Sequence, residues 1–535
     1  MSRRGGLAIF FAAAFFLFAF VYLRMAILYD ADSYYHLAVA RLYGQHGIFA
    51  ANPWARFSIL AEGADKDFLF HLILLPFATF GDAAIGGRIA LALFNAAIAT
   101  VVAMYAVRAI GPIGYAIPLW LWIAAPPFFA RVARLRPELL ALLVILLAID
   151  AAARRRPIAL ALLAFAFALG YTAFHVFFAL VVLWCWRDRR MIAAAGAGIV
   201  AGLLLRPHPI ATLRLWYLQN VEFFRHTGVL DVGNEILPPT LRTLAISLPF
   251  IAALIAFVLI RTQDRGRDLA ARNAIIAAAV FLLLFARFGR MATYAFPLAL
   301  LAVLLSARLQ RTRVVAIVLA LSMIAALPFA LDPHLLALFR DDVSTETDLE
   351  AFGRAVPPGA KVAATWGSGE LYAFWAPQAH YLNVLEPLFM AAPFPEEYGA
   401  QRRIFAGVEP DIATVAKTTL DSDFLAFDRS DAPPLLLERL RNDPRVRFRN
   451  GGANVLVELR PDPRIVYTRA DPSRCATIDR ELAAGTYSFA PYGEASIDGR
   501  PFAPAAAILA RSVAVDLAAG PHRIVTCPDK AAGQN

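Results

Sequence analysis

Long apolar runs through the first 331 residues constrain this chain more than any other feature. Hydrophobic residues make up 59% of the 535-residue sequence. A soluble fold of this length cannot keep that much apolar surface away from water. A bilayer can, because about 20 consecutive apolar residues cross its hydrocarbon core. The sequence therefore predicts a polytopic α-helical membrane protein.

Arginine clusters between the apolar runs predict the orientation. Short cytoplasmic loops are rich in Arg and Lys, and this rule places the N-terminus inside and the C-terminus outside. Arg3 and Arg4 precede a first run without a small-residue cleavage site, which is expected to remain as a helix. The net charge of +10 is thus read as topological anchoring, and no nucleic-acid partner is expected. About eleven spans are predicted, at 5–28, 84–107, 112–130, 138–153, 158–170, 173–186, 191–205, 241–260, 273–286, 292–307 and 314–331.

Two further parts of the chain differ from these spans. The apolar run 67–80 is short, and it is expected to lie at the membrane interface, after a long external loop. After Asp332, Pro, Gly, Asp and Glu become more frequent and the apolar runs shorten. We expect a membrane domain at 1–332, an external α/β domain at 333–462 and a small external β-sandwich at 463–535.

Two acidic residues, Asp30 and Asp32, directly follow the first span, and Tyr35 and His36 come next. Carboxylates suit a hard divalent cation, which commonly shares its ligands with substrate phosphates. The pair alone is a weak signal, since solvated loop acids that merely end a span would look the same.

Three other polar motifs fall on the same predicted external side. They are Arg136-Pro137-Glu138, Gly233-Asn234-Glu235 and Arg287-Phe288-Gly289-Arg290. The arginines at 131–136, 287 and 290 depart from the positive-inside pattern, which makes them candidate anion ligands. Acids that hold a divalent ion, together with arginines for a phosphate, are what the departure of a sugar from a lipid phosphate requires.

With these motifs, the sequence resembles the GT-C glycosyltransferases, and within them the catalytic subunit of oligosaccharyltransferase. Asp32-Ser-Tyr-Tyr-His matches an Asp that the family carries after its first span. Glu138 matches the last acid of a second-loop pair, whereas Arg136 stands where the first acid is expected. The stretch 232–240 looks like the family's SVSE or TIxE motif with Glu235 as its acid, and 287–297 is similar to the stretch that carries the pyrophosphate-binding arginine, which nominates Arg290.

The resemblance implies an inner-membrane enzyme with a periplasmic active site. It would move a sugar or oligosaccharide from a polyprenyl-phosphate or polyprenyl-pyrophosphate donor to a lipid, glycan or protein acceptor. Asp32, Glu138 and Glu235 would hold Mg²⁺ or Mn²⁺. Arg290, Arg287 and Lys66 would bind the donor phosphate, since Lys66-Asp67-Phe68-Leu69 is similar to a Lys-Pro-Pro-Leu stretch of the protein mannosyltransferase and aminoarabinose transferase branch. Lys66 could equally be a lysine that snorkels at the interface.

The acceptor-side residues implied by the resemblance are Trp366, Tyr35 and His36. In oligosaccharyltransferase a Trp-Trp-Asp-Tyr-Gly motif binds the hydroxyl of the Asn-x-Ser/Thr sequon, but here Trp366 is followed by Gly367, Ser368 and Gly369. A site without those polar partners loses its discrimination. We therefore expect an acceptor other than a sequon, and Trp366 could also be a core residue of the soluble domain.

Two other classes of function stay open. A transporter or flippase would carry acids at mid-membrane and show repeat symmetry, and neither is visible. An inactive GT-C paralogue is also compatible, because Arg136 removes one expected acid. Finally, Cys475 and Cys527 bracket the C-terminal module on the predicted oxidising side, so a disulfide between them is expected.

Overall fold

The chain divides into two compact units. Unit 1 comprises Met1–Asn52, Ile59–Glu346 and Pro387–Phe389, and unit 2 comprises Pro53–Ser58, Thr347–Glu386 and Met390–Asn535. The division after Glu346 lies downstream of the predicted boundary at 332. The computed structural model describes residues 3–226, 230, 233, 236–259, 263–264, 269–308, 312–330, 346–443, 445–450, 452–460, 464–466, 475–482, 484–489, 495–501 and 513–526.

Unit 1 is built from apolar helices that pack side by side. A two-stranded ribbon, β1 (Gln263–Asp264) with β2 (Ala307–Arg308), joins two of them. The helices are α1 (Arg3–Tyr22), α2 (Ala31–His46), α3 (Phe68–Thr79), α4 (Ala83–Ile110), α5 (Ile117–Ala124), α6 (Pro126–Val132), α7 (Glu138–Ala153), α8 (Pro157–Gly170), α9 (Phe174–Cys185), α10 (Arg189–Leu204), α11 (Pro209–Tyr217), α12 (Phe223–His226), α13 (Leu241–Ile246), α14 (Leu248–Leu259), α15 (Leu269–Arg287), α16 (Ala292–Ser306) and α17 (Thr312–Ala330).

Most predicted spans coincide with these helices, and α7 begins and ends at the predicted residues. The span predicted at 112–130 is wrong as a continuous helix. It is a 3-10 turn followed by α5 and α6, with a break at Ala125 directly before Pro126 and Pro127. Proline favours the first turn of a helix and disrupts its interior, so it starts α6 rather than continuing α5.

Among the described helices, four stretches are long and apolar enough to cross a membrane: Arg4–Tyr22, Ala83–Ala124, Leu269–Arg287 and Gly289–Ser306. A fifth would come from α10 with the helix that follows it, which are bent by 111°. Several other apolar helices have 10–17 residues. The chain is thus a membrane protein, while the count of about eleven spans stays a prediction.

Unit 2 contains a five-stranded sheet in the order β4-β3-β5-β7-β6. The first three of these strands run parallel, and β7 and β6 are antiparallel to their neighbours. The strands are β3 (Lys361–Ala364), β4 (His380–Tyr381), β5 (Phe424–Asp428), β6 (Val446–Phe448) and β7 (Asn454–Leu459). Helices after residue 345 are α18 (Glu346–Ala355), α19 (Trp366–Trp375), α20 (Leu388–Ala391), α21 (Pro395–Phe405), α22 (Ile412–Thr418) and α23 (Pro434–Asn442).

Two small sheets follow, in the orders β13-β10-β8 and β12-β11-β14-β9. Tyr487 of the first sheet and Ile497 and Ile524 of the second form one apolar core, as in a β-sandwich. The strands are β8 (Arg464–Val466), β9 (Ala476–Leu482), β10 (Gly485–Phe489), β11 (Ala495–Ile497), β12 (Arg500–Pro501), β13 (Val513–Leu517) and β14 (Gly520–Thr526).

Candidate functional site

The sequence predicted an external loop directly after the first span. In the structure, the two acids that follow the span begin a helix instead. Asp30 is the N-cap of α2 and accepts a hydrogen bond from the backbone N–H of Ser33 at 3.2 Å. The hydroxyl of Ser33 also donates to Asp30 and accepts from the backbone N–H of Leu135 at 3.0 Å. Capping explains why the chain turns helical at this point, and the serine joins α2 to the segment that precedes α7.

Arg136 lies between the two carboxylates. Its Nε donates to Oδ2 of Asp30, and its Nη2 is 3.1 Å from Oδ2 of Asp32. Arg134 adds a second guanidinium, whose Nε is 3.9 Å from Asp30. Burial works to raise the pKa of Asp30, but Arg136, Arg134 and the Ser33 hydroxyl outweigh it and hold that pKa below its usual value. Asp30 is therefore ionised at neutral pH.

Glu138, the first residue of α7, is buried between two further arginines. Its Oε1 accepts from Nη2 of Arg131 at 3.2 Å and from Nη2 of Arg290 at 3.3 Å. Arg131 also lies 3.4 Å from the hydroxyl of Thr293 in α16. We call Asp30, Asp32, Arg131, Arg134, Arg136, Glu138 and Arg290 the arginine–carboxylate cluster; it brings together three segments that the sequence predicted on one side of the membrane.

Not every nominated residue joins this cluster. Arg287 is exposed, and its guanidinium stacks on Phe288 with 4.9 Å to the ring centroid. Glu235 lies outside the described residues. Arg131 was predicted only as one of the candidate anion ligands at 131–136, and not as a residue of the donor site.

The described acids do not fit a divalent cation as they stand. A guanidinium already pairs with each of Asp30, Asp32 and Glu138. Among the residues that the structure describes, no three His, Cys, Asp or Glu side chains are placed to hold a metal ion. Because Glu235 is not described, the Mg²⁺ or Mn²⁺ site stays a prediction.

A second polar group, which we call the buried histidine network, joins α2 to α3. Nδ1 of His36 is 2.8 Å from Nε2 of His71, and Nδ1 of His71 is 2.8 Å from Oδ2 of Asp65. The hydroxyl of Tyr43 donates to the same oxygen at 2.7 Å. Burial opposes the charge on Asp65, but His71 and these hydrogen bonds keep its pKa low. The ring of Tyr35 packs edge-on against both histidines.

Lys66 and the neighbouring backbone are positioned by a buried arginine that the sequence did not nominate. Arg206, after α10, donates to the carbonyls of Lys66 at 3.1 Å and Tyr171 at 3.1 Å, and to that of Ala168. It therefore ties the end of α8 to the segment before α3. The ammonium of Lys66 lies 5.8 Å from the ring centroid of Phe389.

Trp366 is the first residue of α19 in unit 2. Its indole N–H donates to the carbonyl of Leu385, and the side chain is half-buried. This contact fits the reading of Trp366 as a structural residue of its own unit. Its acceptor-side role stays a prediction.

No protein-family model and no curated protein matches the chain. Solved structures do. ArnT from Cupriavidus metallidurans in the apo state matches over 85% of this chain and 98% of its own, with a TM-score of 0.52 at 15% sequence identity. The structure of ArnT bound to undecaprenyl phosphate matches with the same coverage, a TM-score of 0.53 and 13% sequence identity. The arabinofuranosyltransferase AftD from Mycobacteria matches over 86% of this chain and 40% of its own, with a TM-score of 0.51 at 16% identity. At such identities the similarity shows a shared fold.

Proposed function

We propose that this chain, a membrane protein with the GT-C fold, is a glycosyltransferase that uses a polyprenyl-phosphate-linked sugar donor. The observation that carries the proposal is the arginine–carboxylate cluster, which joins the start of α2, the segment before α7 and the start of α16. Four arginines around three acids provide ligands for both parts of such a donor, its phosphate and its sugar hydroxyls.

Arg131 and Arg290 are the residues that we assign to the donor phosphate. Guanidinium groups match phosphate oxygens in charge and shape. Both now contact Glu138, so a bound phosphate would take over these hydrogen bonds and free the carboxylate for a sugar hydroxyl. Negative charge grows on the phosphate as the sugar leaves, and preorganised cations stabilise it most at that stage.

A small apolar cavity between α7 and α9 is the place that we assign to the start of the donor's lipid tail. Ile145, on its wall, is seven residues beyond Glu138, which is about 10 Å along the same helix. The similar ArnT structure with bound undecaprenyl phosphate supports this class of ligand. The lining residues are Ile145, Ala148, Ile149, Ala152, Phe177, Leu180, Val181 and Trp184.

The remaining parts of the proposal follow from the sequence. The enzyme acts at the periplasmic face of a bacterial inner membrane, and its acceptor is a lipid, glycan or protein without a required sequon. Because the described acids are paired with arginines, donor binding is expected to survive chelation by EDTA. A loss of transfer under EDTA would show that the predicted ion is recruited for the chemical step.

The direct test is sugar transfer by the purified full chain in lipid nanodiscs. The donors are undecaprenyl phosphates carrying different radiolabelled sugars, and total membrane lipid and periplasmic extract supply acceptors. We expect labelled acceptor and free undecaprenyl phosphate from the wild type. Glu138→Gln and Arg290→Lys should each lower transfer about 100-fold or more, as loss of one preorganised group in a site does.

The matched control is Arg108→Lys, because Arg108 forms a similar ion pair with Asp150 at 2.6 Å, away from the cluster. It should transfer like the wild type. Movement of the donor across the bilayer with its sugar still attached would instead indicate a flippase. Full transfer by Arg290→Lys and Glu138→Gln would contradict the assigned site.

A further inference from the structure

Asp67 is a buried acid whose side chain has no hydrogen-bond partner among the described residues. It occupies the N-cap position of α3 but does not cap the helix. It is only 1% exposed, and both carboxyl oxygens are sealed from solvent and without a partner. Leaving a buried polar group unsatisfied destabilises the folded protein. Such a group in a folded protein calls for an explanation, and a ligand that supplies the missing hydrogen is one.

The buried histidine network fixes the backbone of Asp67 and leaves its carboxyl available. The backbone N–H of Asp67 donates to Oδ1 of Asp65 at 2.8 Å, and its carbonyl accepts from the N–H of His71 at 3.1 Å. Asp65 is itself held by His71 and Tyr43. The carboxyl of Asp67 is thus oriented by its neighbours, although none of them uses its oxygens.

The charged groups around Asp67 connect it with the proposed donor site. Lys66, His71 and Asp65 act on it from its own segment and α3, and Glu138 acts on it from α7. Tyr43, Tyr171 and Arg206 lie within electrostatic reach from α2, the turn after α8 and the end of α10. Burial raises the pKa of Asp67 to about 7, although Lys66 and His71 oppose the shift.

We infer that Asp67 accepts the proton of the attacking acceptor group, an inference that rests on the proposed function. The acceptor oxygen forms a bond to the anomeric carbon, and the bond from that carbon to the phosphate oxygen breaks. Its electron pair leaves with the phosphate, and the O–H proton of the acceptor moves to a carboxyl oxygen of Asp67. No other reactant is needed.

Two features favour Asp67 over the neighbouring candidates. A general base works best when its pKa is close to the working pH, which holds for Asp67. Burial, together with His71, Lys66 and Arg136, places the pKa of His36 well below its usual value, so that imidazole is a weak base. Asp30 and Asp32 are paired with Arg136. His36, His71 and Asp65 belong to the network that fixes the backbone of Asp67, so we assign them as positioning residues.

The test compares Asp67→Asn, which keeps the shape of the side chain, with the wild type in nanodiscs. The donor is the undecaprenyl-phosphate sugar that the wild type transfers. We expect transfer to fall about 10²- to 10⁴-fold, while binding of undecaprenyl phosphate stays within threefold. The wild-type rate should rise with pH through a midpoint near 7, and this rise should be absent from the residual rate of the variant.

Two controls separate this role from a structural one. Asp82→Asn changes the N-cap of α4, where Asp82 accepts from the N–H of Ala84 at 2.7 Å, and should leave transfer unchanged. In the infrared spectrum, a protonated-carboxyl band of the substrate-free wild type should titrate near pH 7 and vanish in Asp67→Asn. Asp67→Glu restores a carboxyl and should recover part of the rate, which also covers the case in which the Asn variant folds poorly.

The outcomes are distinct. If the wild type transfers sugar and Asp67→Asn does so within threefold, or with the same pH midpoint, the inference is overturned while the proposed function stands. If the wild type transfers no sugar to any acceptor, the proposed function fails and the role of Asp67 fails with it.

Discussion

At the scale of residues, Arg136 shows that the acidic pair Asp30 and Asp32 is held by a guanidinium in this structure. The guanidinium contacts both Asp30 and Asp32, and all three side chains are largely buried. Two neighbouring carboxylates of this kind repel each other unless a cation lies between them. The residue that seemed to remove an acid from the site therefore supplies the charge that holds the other two together.

Removal of Arg136 alone should destabilise the protein strongly. We expect Arg136→Ala to lower the free energy of unfolding by about 3–5 kcal/mol, because it leaves buried carboxylates without their partner. The double variant Arg136→Ala with Asp30→Asn should recover a large part of the loss. Unfolding titrations in mixed detergent micelles measure both, and equal stability of the single variant and the wild type would contradict this account.

The raised pKa of Asp67 predicts a stability that declines as the pH rises from 3.8 towards 7 and levels off above that value. Between its ordinary value of 3.8 and about 7, the folded state holds a proton that the unfolded state has lost. The stabilisation is therefore complete below pH 3.8 and is lost as the pH rises through 7. Wild type should lose on the order of a few kcal/mol more than Asp67→Asn between pH 5 and pH 8. Parallel pH dependence of the two proteins would refute this prediction.

Some site residues could be predicted because they lie beside span ends. Asp32, Glu138 and Arg290 were nominated by this position together with the family resemblance, and the structure places each of them in the arginine–carboxylate cluster. Neither the His36–His71 pair nor Arg206, which donates to three backbone carbonyls, could be predicted. Their partners are far away in sequence, and no short motif indicates which buried polar groups a fold brings together.

At the scale of elements, hydropathy predicted helices better than their interruptions or polar neighbours. The polar helix α2 was missed, although Asp30 is one of the residue types preferred at an N-cap. The pair Pro126-Pro127 also indicates a break in the helix. The residues on both sides are apolar, however, and were assigned to one continuous span. Hydropathy identifies a helix only when it is long and apolar. The residue at which a helix starts depends on its N-cap and on proline, which hydropathy does not measure.

The contact between α8 and α10 gives an element-scale prediction. A Cβ atom at Gly198 would lie 2.2 Å from the carbonyl oxygen of Ala161, and one at Gly202 would lie 2.7 Å from that of Phe165. Small residues four apart let membrane helices approach closely. Gly198→Ala should therefore lower the free energy of unfolding by about 1–3 kcal/mol.

Gly196→Ala is the matched control on the same helix. A Cβ atom there meets only a ring carbon of Phe178, at 3.8 Å, and alanine favours helix more than glycine does. We expect this variant to be as stable as the wild type or slightly more stable. Equal losses for the two alanine variants would mean that the close contact of α8 with α10 contributes little.

At the scale of the whole molecule, the chain combines a helical membrane unit with a unit of three sheets. The change of composition near Asp332 predicted a membrane domain followed by two external domains, and residues 464–526 lie in the same compact unit as 347–386. The assignment of Pro53–Ser58 to unit 2 and of Pro387–Phe389 to unit 1 could not be predicted. These segments are short and have no composition that sets them apart from their neighbours.

The predicted disulfide tests the orientation of the whole chain. Cys475 is disulfide-bonded and Cys185 is a buried free thiol. Cys527 lies outside the described residues, but it directly follows Thr526, which pairs with Ala476 in the sheet. Denatured protein isolated from cells should therefore show one alkylatable thiol before reduction and three after it. Three thiols before reduction would argue against a C-terminus in an oxidising compartment.

The proposed function depends above all on Arg131 and Arg290 as the residues that receive the phosphate of a polyprenyl-linked donor. The most direct measurement is a cryo-EM structure of the full chain in nanodiscs with undecaprenyl phosphate. We expect phosphate oxygens within hydrogen-bond distance of both guanidinium groups, which would no longer pair with Glu138, and a lipid tail along the cavity between α7 and α9. A phosphate bound elsewhere, with both arginines still on Glu138, would contradict this expectation.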